Sequence, residues 1–117
     1  MRRLIEHFTK HITESLSISE AATLNPFTGK INNVLICGLG GSGIGGSIIA
    51  QIVAQDAECP ITINKDYKIP AFVNETTLVV CCSYSGNTEE SLEMLAQAKA
   101  KNAVITCVTS GGKLEEL

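Results

Sequence analysis

The sequence predicts an α/β fold in which helices cover both faces of an open, mostly parallel sheet. Three observations predict it. Four short runs, 34–37, 61–63, 77–83 and 104–108, are apolar and rich in β-branched residues, as strands buried on both faces are. Two segments between them, 44–57 and 87–102, carry apolar residues at helical spacings. Two of the runs end in loops of glycine or hydroxyl residues placed directly before a helix, where α/β proteins hold ligands.

Taken in order, residues 1–24 read as an amphipathic helix, because Leu4, Ile5, Phe8, Ile12 and Leu16 recur at intervals of three and four before the Asn25-Pro26 breaker. A turn through Thr28-Gly29-Lys30 leads into the first strand. The helix over 44–57 is expected to bury Ile48, Ile49, Ile52 and Val53. After the second strand comes a loop containing Pro70 where a helix would be usual, then the third strand. The helix over 87–102 is expected to turn Leu92, Leu95 and Ala96 inward, and the fourth strand follows. Residues 111–117 read as the opening of another helix, as if the chain were a fragment ending before its last strand. Right-handed crossovers then give a three-layer α-β-α sandwich with flavodoxin-like strand order 2-1-3-4, a single domain over 1–117 whose α/β core begins near residue 31.

Composition narrows the function. Nine Lys and Arg against twelve Asp and Glu give a net charge of -3, so there is no basic footprint for nucleic acid or an anionic membrane. Aromatics at 4% without Trp supply no base-stacking platform. The five cysteines are odd in number and lack CxxC spacing, and Cys37, Cys81, Cys82 and Cys107 lie inside apolar runs. They read as core thiols in a reducing compartment, with neither disulfide nor zinc. Glu6, His7 and Lys10 interrupt the apolar stretch a secretory signal requires, and no run approaches the roughly 20 residues of a membrane span. A cytoplasmic location is expected. His7 and His11 stand one helical turn apart but find no third ligand, and read as surface residues.

Two loops carry the chemistry. GLGGSGIGGS, residues 38–47, joins a buried strand to a helix, so its backbone amides and the helix N-terminus suit an anion. It also satisfies GxGxxG at Gly38, Gly40 and Gly43, with Asp66 about 20 residues on, which keeps open a Rossmann domain binding NAD. The ATP-type P-loop fails, since Gly46 and Ser47 stand where it needs lysine. The second loop, Ser83-Tyr84-Ser85-Gly86-Asn87-Thr88-Glu89-Glu90, again lies between strand and helix. Asn87 with Glu90, or Ser85 with Thr88, would suffice to cap the helix. Ser83, Ser85 and Thr88 exceed that need, and together with the helix amides they suit a phosphate. In order 2-1-3-4 the switch point falls between the first and third strands, so both loops reach one crevice. Lys65, Asp66 and Tyr67 at the end of the second strand, and Lys113 after the Ser110-Gly111-Gly112 turn, are candidates for its borders, although nothing in the spacing makes either group specific; Glu89 and Glu90 read as a solvated first turn favoured by the helix dipole.

The segments GLGGSGIGGS, SYSGNTEES and VITCVTSGGKLEEL, within a match running from about Ile31 to Leu117, resemble the N-terminal half of the bifunctional phosphoglucose/phosphomannose isomerases. These belong to the sugar isomerase (SIS) domain family. By position, the resemblance makes Gly41 and Ser42 first-loop substrate contacts and Ser83, Ser85 and Thr88 the phosphate-binding hydroxyls. It implies two SIS domains in tandem, the second absent from this chain, and a homodimer. It also implies interconversion of glucose 6-phosphate or mannose 6-phosphate with fructose 6-phosphate through a cis-enediol, without metal, nucleotide or other cofactor. The family's ring-opening histidine, proton-transferring glutamate and substrate arginine would lie beyond Leu117, so these residues are expected to bind without catalysing. Two other readings remain: a noncatalytic SIS module that senses sugar phosphates, and the Rossmann domain.

Overall fold

The computed structural model describes residues 2–116. Along the chain it contains α1 (Arg2–Glu6), α2 (Phe8–Ala21), β1 (Asn33–Cys37), α3 (Gly40–Ile52), β2 (Ile61–Asn64), β3 (Thr77–Cys82), α4 (Glu89–Ala100) and β4 (Val104–Val108). The strands form one parallel sheet in the order β2-β1-β3-β4, as the sequence predicts. Register aligns Cys37 with Asn64 on one side and Cys81 on the other, and Cys81 with Cys107. The C-terminal ends of the strands therefore share one level.

The main core lies beneath α4. Leu35, Cys37, Val79 and Cys81 from the sheet meet Met94, Leu95 and Ala98, with Ile69, Val73 and Leu114 closing the cluster. Leu92 is partly buried against it, but Ala96, expected inside, is exposed, and Met94 and Ala98 take the inward positions. The connection from β2 to β3 has no helix and crosses on this same face. Gln97 holds it by accepting from the Ile69 amide at 3.1 Å and donating to the Tyr67 carbonyl at 2.8 Å. The Lys101 ammonium donates to the Pro70 and Ala71 carbonyls at 3.3 and 3.2 Å. These bonds satisfy backbone that a helix would otherwise satisfy internally.

The opposite face corrects one expectation. Ile48, Ile49 and Ile52 are 53, 55 and 72% exposed, Val53 is only partly buried, and the inward residues of α3 are Gly43 and Gly46. The sheet side chains explain the inversion: a Cβ on Gly46 would lie 2.8 Å from Cγ2 of Ile36. Ile36 fills the space, so the helix approaches through its glycines. The helix also begins at Gly40 rather than near residue 44 and ends at Ile52, with turns following.

At the N-terminus the single helix expected over 1–24 is two, broken at His7, and α2 has no buried residue. Ile5, Phe8, Ile12 and Leu16 face outward because no element of the described structure packs over them; the side chain of Leu4 lies outside the described residues. At the other end, residues 113–116 form turns rather than the opening of a helix, held by the Leu114 amide donating to the Gly86 carbonyl at 3.2 Å.

Candidate functional site

At the end of β1 the backbone must pass very close to α3. The Gly38 amide donates to the Asn64 carbonyl at 3.1 Å, and a Cβ on Gly38 would fall 3.1 Å from the Gly43 nitrogen and 3.3 Å from the Cys82 carbonyl oxygen. A Cβ on Gly43 would lie 2.5 Å from the Gly38 carbonyl oxygen. Packing accounts for these two glycines. Gly40, at φ +53, turns the chain into the helix. Gly41 is different, because nothing lies within 4 Å of where its Cβ would be. The N-cap is Leu39, whose side chain has no acceptor, so the first-turn amides of α3 receive no side-chain cap.

The hydroxyl loop begins one residue after β3. Ser83, 3% exposed, and Thr88 bring Oγ and Oγ1 to 2.7 Å. Thr88 is the N-cap of α4, yet neither it nor any other side chain caps the helix, so the caps that the sequence allowed do not form. Ser85 lies exposed at the tip of the loop, where its Oγ accepts the Asn87 amide at 3.3 Å. The structure thus joins Ser83 and Thr88 and leaves Ser85 apart from that pair. Ser91, in the first turn of α4, has a buried hydroxyl without a hydrogen-bond partner, a feature that helical periodicity does not flag.

The segment around Ser110 and Lys113 braces this loop, a contact the sequence did not indicate. The Tyr84 carbonyl accepts the Ser110 amide at 3.1 Å, and Asn87 Oδ1 accepts the Lys113 amide at 3.1 Å. Gly86, at φ +66, fits so tightly that a Cβ there would overlap the Gly111 carbonyl. The turn signal Ser110-Gly111-Gly112 was visible in the sequence, but its partner was not.

The loop after β2 starts at the same strand-end level as the glycine loop. Asn64 Nδ2 donates to the Asp66 and Lys68 carbonyls at 3.1 Å, and Asp66 Oδ1 accepts the Tyr67 amide at 2.7 Å, closing its own turn. Desolvation, and then the Glu89 and Glu90 carboxylates, raise the Tyr67 phenol above its ordinary pKa. Lys65 packs its Cε 3.3 Å from the Cβ position of Gly43. A separate groove of about 760 Å³ lies over the sheet face, lined by Ile36, Val80 and Ile49, by Ser42 and Tyr84 of the two loops, and by Ile18 of α2.

All five cysteines are free thiols. Hydrogen bonding with Cys37 and then burial hold Cys81 well above its ordinary pKa, while the same bond lowers Cys37. Burial raises Cys82 and Cys107. Among the described residues no group of three or more His, Cys, Asp or Glu is arranged to hold a metal ion. His7, at the break between α1 and α2, and His11, in α2, are both exposed. Among the described residues no helix is long and apolar enough to cross a membrane.

A parallel sheet whose glycine and hydroxyl loops meet at a topological switch point defines an α/β ligand-binding domain with two anion-receptive helix starts. The chain belongs to the SIS domain family, whose profile matches residues 29–113. It is 41% identical over 112 residues to the bifunctional phosphoglucose/phosphomannose isomerase of Caldicellulosiruptor bescii, a match covering 96% of this chain and 33% of that protein. The protein of the same name from Thermoplasma acidophilum is 42% identical over 90 residues, 77% of this chain and 28% of the relative. The crystal structure of tagatose-6-phosphate ketose/aldose isomerase from Escherichia coli shares the fold, with a TM-score of 0.59 at 20% identity over 74% of this chain and 26% of that one. The chain spans about a third of the length of the curated relatives it matches.

Proposed function

We propose that this chain is the phosphosugar-binding part of a homodimeric aldose-ketose isomerase, one that interconverts glucose 6-phosphate or mannose 6-phosphate with fructose 6-phosphate. The observation that carries this reading is the buried Ser83–Thr88 hydroxyl pair at the uncapped start of α4. A phosphate seated there accepts from the two hydroxyls and the first-turn amides, in line with the helix dipole. Ser85 joins by turning its exposed hydroxyl inward, and Gly41 and Ser42 close the opposite side with the amides of α3. The open space over Gly41 supports this, because packing alone does not call for glycine at that position.

Holding the phosphate serves catalysis at a distance. Isomerisation takes a proton from C2 of the open-chain aldose to give a cis-enediol and returns it at C1, far along the sugar from the 6-phosphate. Binding energy at the phosphate fixes C1 and C2 against a base. Glu89 and Glu90 stand at the phosphate end, the wrong end for that base, and they repel the anion if they face it. It is the resemblance to the longer isomerases, of which this chain spans about a third, that assigns the proton-transferring group to residues outside these 117.

Calorimetric titration of the purified chain with fructose 6-phosphate, fructose and NAD tests the reading. Saturable binding of fructose 6-phosphate, without response to fructose, is expected. Binding of NAD alone would return the glycine loop to a dinucleotide role.

A further inference from the structure

We infer that Lys65 supplies the positive charge of the phosphosugar site, acting from the glycine-loop side as a binding residue for the phosphate. The inference rests on the phosphosugar reading. The cradle formed by Gly41, Ser42, Ser83, Ser85 and Thr88 has no charge of its own, and Glu89 and Glu90 add negative charge at the start of α4. The hydroxyls and helix amides hold a phosphate monoester without a cation, but a dianion arriving beside those carboxylates is held more tightly if a cation offsets them.

Lys65 is positioned to provide it. It follows Asn64, whose carbonyl accepts the Gly38 amide, so it emerges at the same strand-end level as the glycine loop. Its stem lies against Gly43, with Cε 3.3 Å from the Cβ position there, and the ammonium is one bond further on, at the first turn of α3. Among the described residues Lys65 has neither a hydrogen bond nor an ion pair; the two described ion pairs, Arg2–Glu6 and Lys10–Glu14, are on the N-terminal helices. The adjacent Asp66 carboxylate is taken up by the Tyr67 amide. A cation held beside the positive end of a helix dipole is electrostatically misplaced until an anion joins it. An exposed lysine whose stem touches the glycine loop, whose ammonium has no protein partner among the described residues, and which lies near uncapped amides thus suits an anion at this place.

The test compares the unaltered chain with Lys65→Met, which keeps the packed stem and removes the charge, and with Lys65→Arg and Lys68→Met. Fructose 6-phosphate affinity is measured at low and high salt, with thermal melts to establish that each variant folds. Lys65→Met should weaken binding tenfold or more and flatten its salt dependence without shifting the melt. Lys65→Arg should recover most of the affinity, and Lys68→Met, a likewise exposed lysine three residues on, should stay within twofold. Binding by Lys65→Met within twofold of the unaltered chain would overturn the inference while leaving the phosphosugar reading standing. A loss for Lys68→Met equal to that for Lys65→Met would overturn it as well, by showing a diffuse field effect. An unaltered chain that binds no fructose 6-phosphate would overturn the underlying reading.

Discussion

Replacing Thr88 with valine removes one hydroxyl and keeps the β-branched shape at the start of α4. In the free protein the change breaks the 2.7 Å contact with Ser83 and leaves a buried hydroxyl, 3% exposed, without that partner. A lost hydrogen bond of this kind costs about 1 kcal/mol, rising toward about 3 if Ser83 stays unsatisfied. At about 1 kcal/mol the melting temperature of a chain this size falls by roughly 3 to 6 °C. A phosphate raises the stakes, because hydrogen bonds to charged groups are worth about 1.5–3 kcal/mol, so fructose 6-phosphate affinity should fall roughly 10- to 150-fold. Melts and calorimetric titrations of Thr88→Val, Ser83→Ala and the double variant complete a cycle. The two sites should couple in both readouts, since they touch one another and one ligand. A variant that loses stability but binds within twofold of the unaltered chain would refute the reasoning, leaving the pair a structural contact only.

Other expectations follow from the same coordinates. Gly41→Ala should stabilise the chain by about 0.5–1 kcal/mol, since alanine favours helix and nothing lies within 4 Å, yet weaken fructose 6-phosphate binding by filling the space a ligand uses; paired melts and titrations check both signs. Gly86→Ala should lose stability and binding together, because φ is +66 and the added Cβ overlaps the Gly111 carbonyl, a strain of about 1–3 kcal/mol before any displacement of the loop. Denaturant titrations between pH 7.5 and 10 should find stability falling as pH rises. Cys81, Cys82 and Cys107 have raised pKa values when folded, so their contribution is complete below the unfolded thiol value of about 8.5 and is lost as pH climbs toward the folded values. The lowered Cys37 offsets part of this, and Cys107→Ala should make the decline shallower.

The strands and their order were legible because continuous β-branched runs such as Val34 to Cys37 admit few other readings. The packing of α3 was not. Hydrophobic periodicity puts Ile48, Ile49 and Ile52 inside, but it carries no measure of how closely two backbones approach, and Gly46 against Ile36 decides the matter. The same limit applies to α2, whose apolar stripe is real but which buries no residue. In the site, the spacing of Ser83 and Thr88 reflects a local strand-to-helix turn and could be read directly. The bond from Lys113 to Asn87 and the stem of Lys65 on Gly43 join residues more than twenty apart in sequence, and only the register of the sheet reveals them.

The most direct test of the phosphosugar site is an amide NMR titration of the chain with fructose 6-phosphate, and with NAD in a parallel sample. The account predicts saturable shifts for Gly41, Ser42, Ser83, Ser85 and Thr88 with the sugar phosphate and none with NAD. A well-dispersed spectrum in which those amides stay still with fructose 6-phosphate while the glycine loop responds to NAD would contradict it.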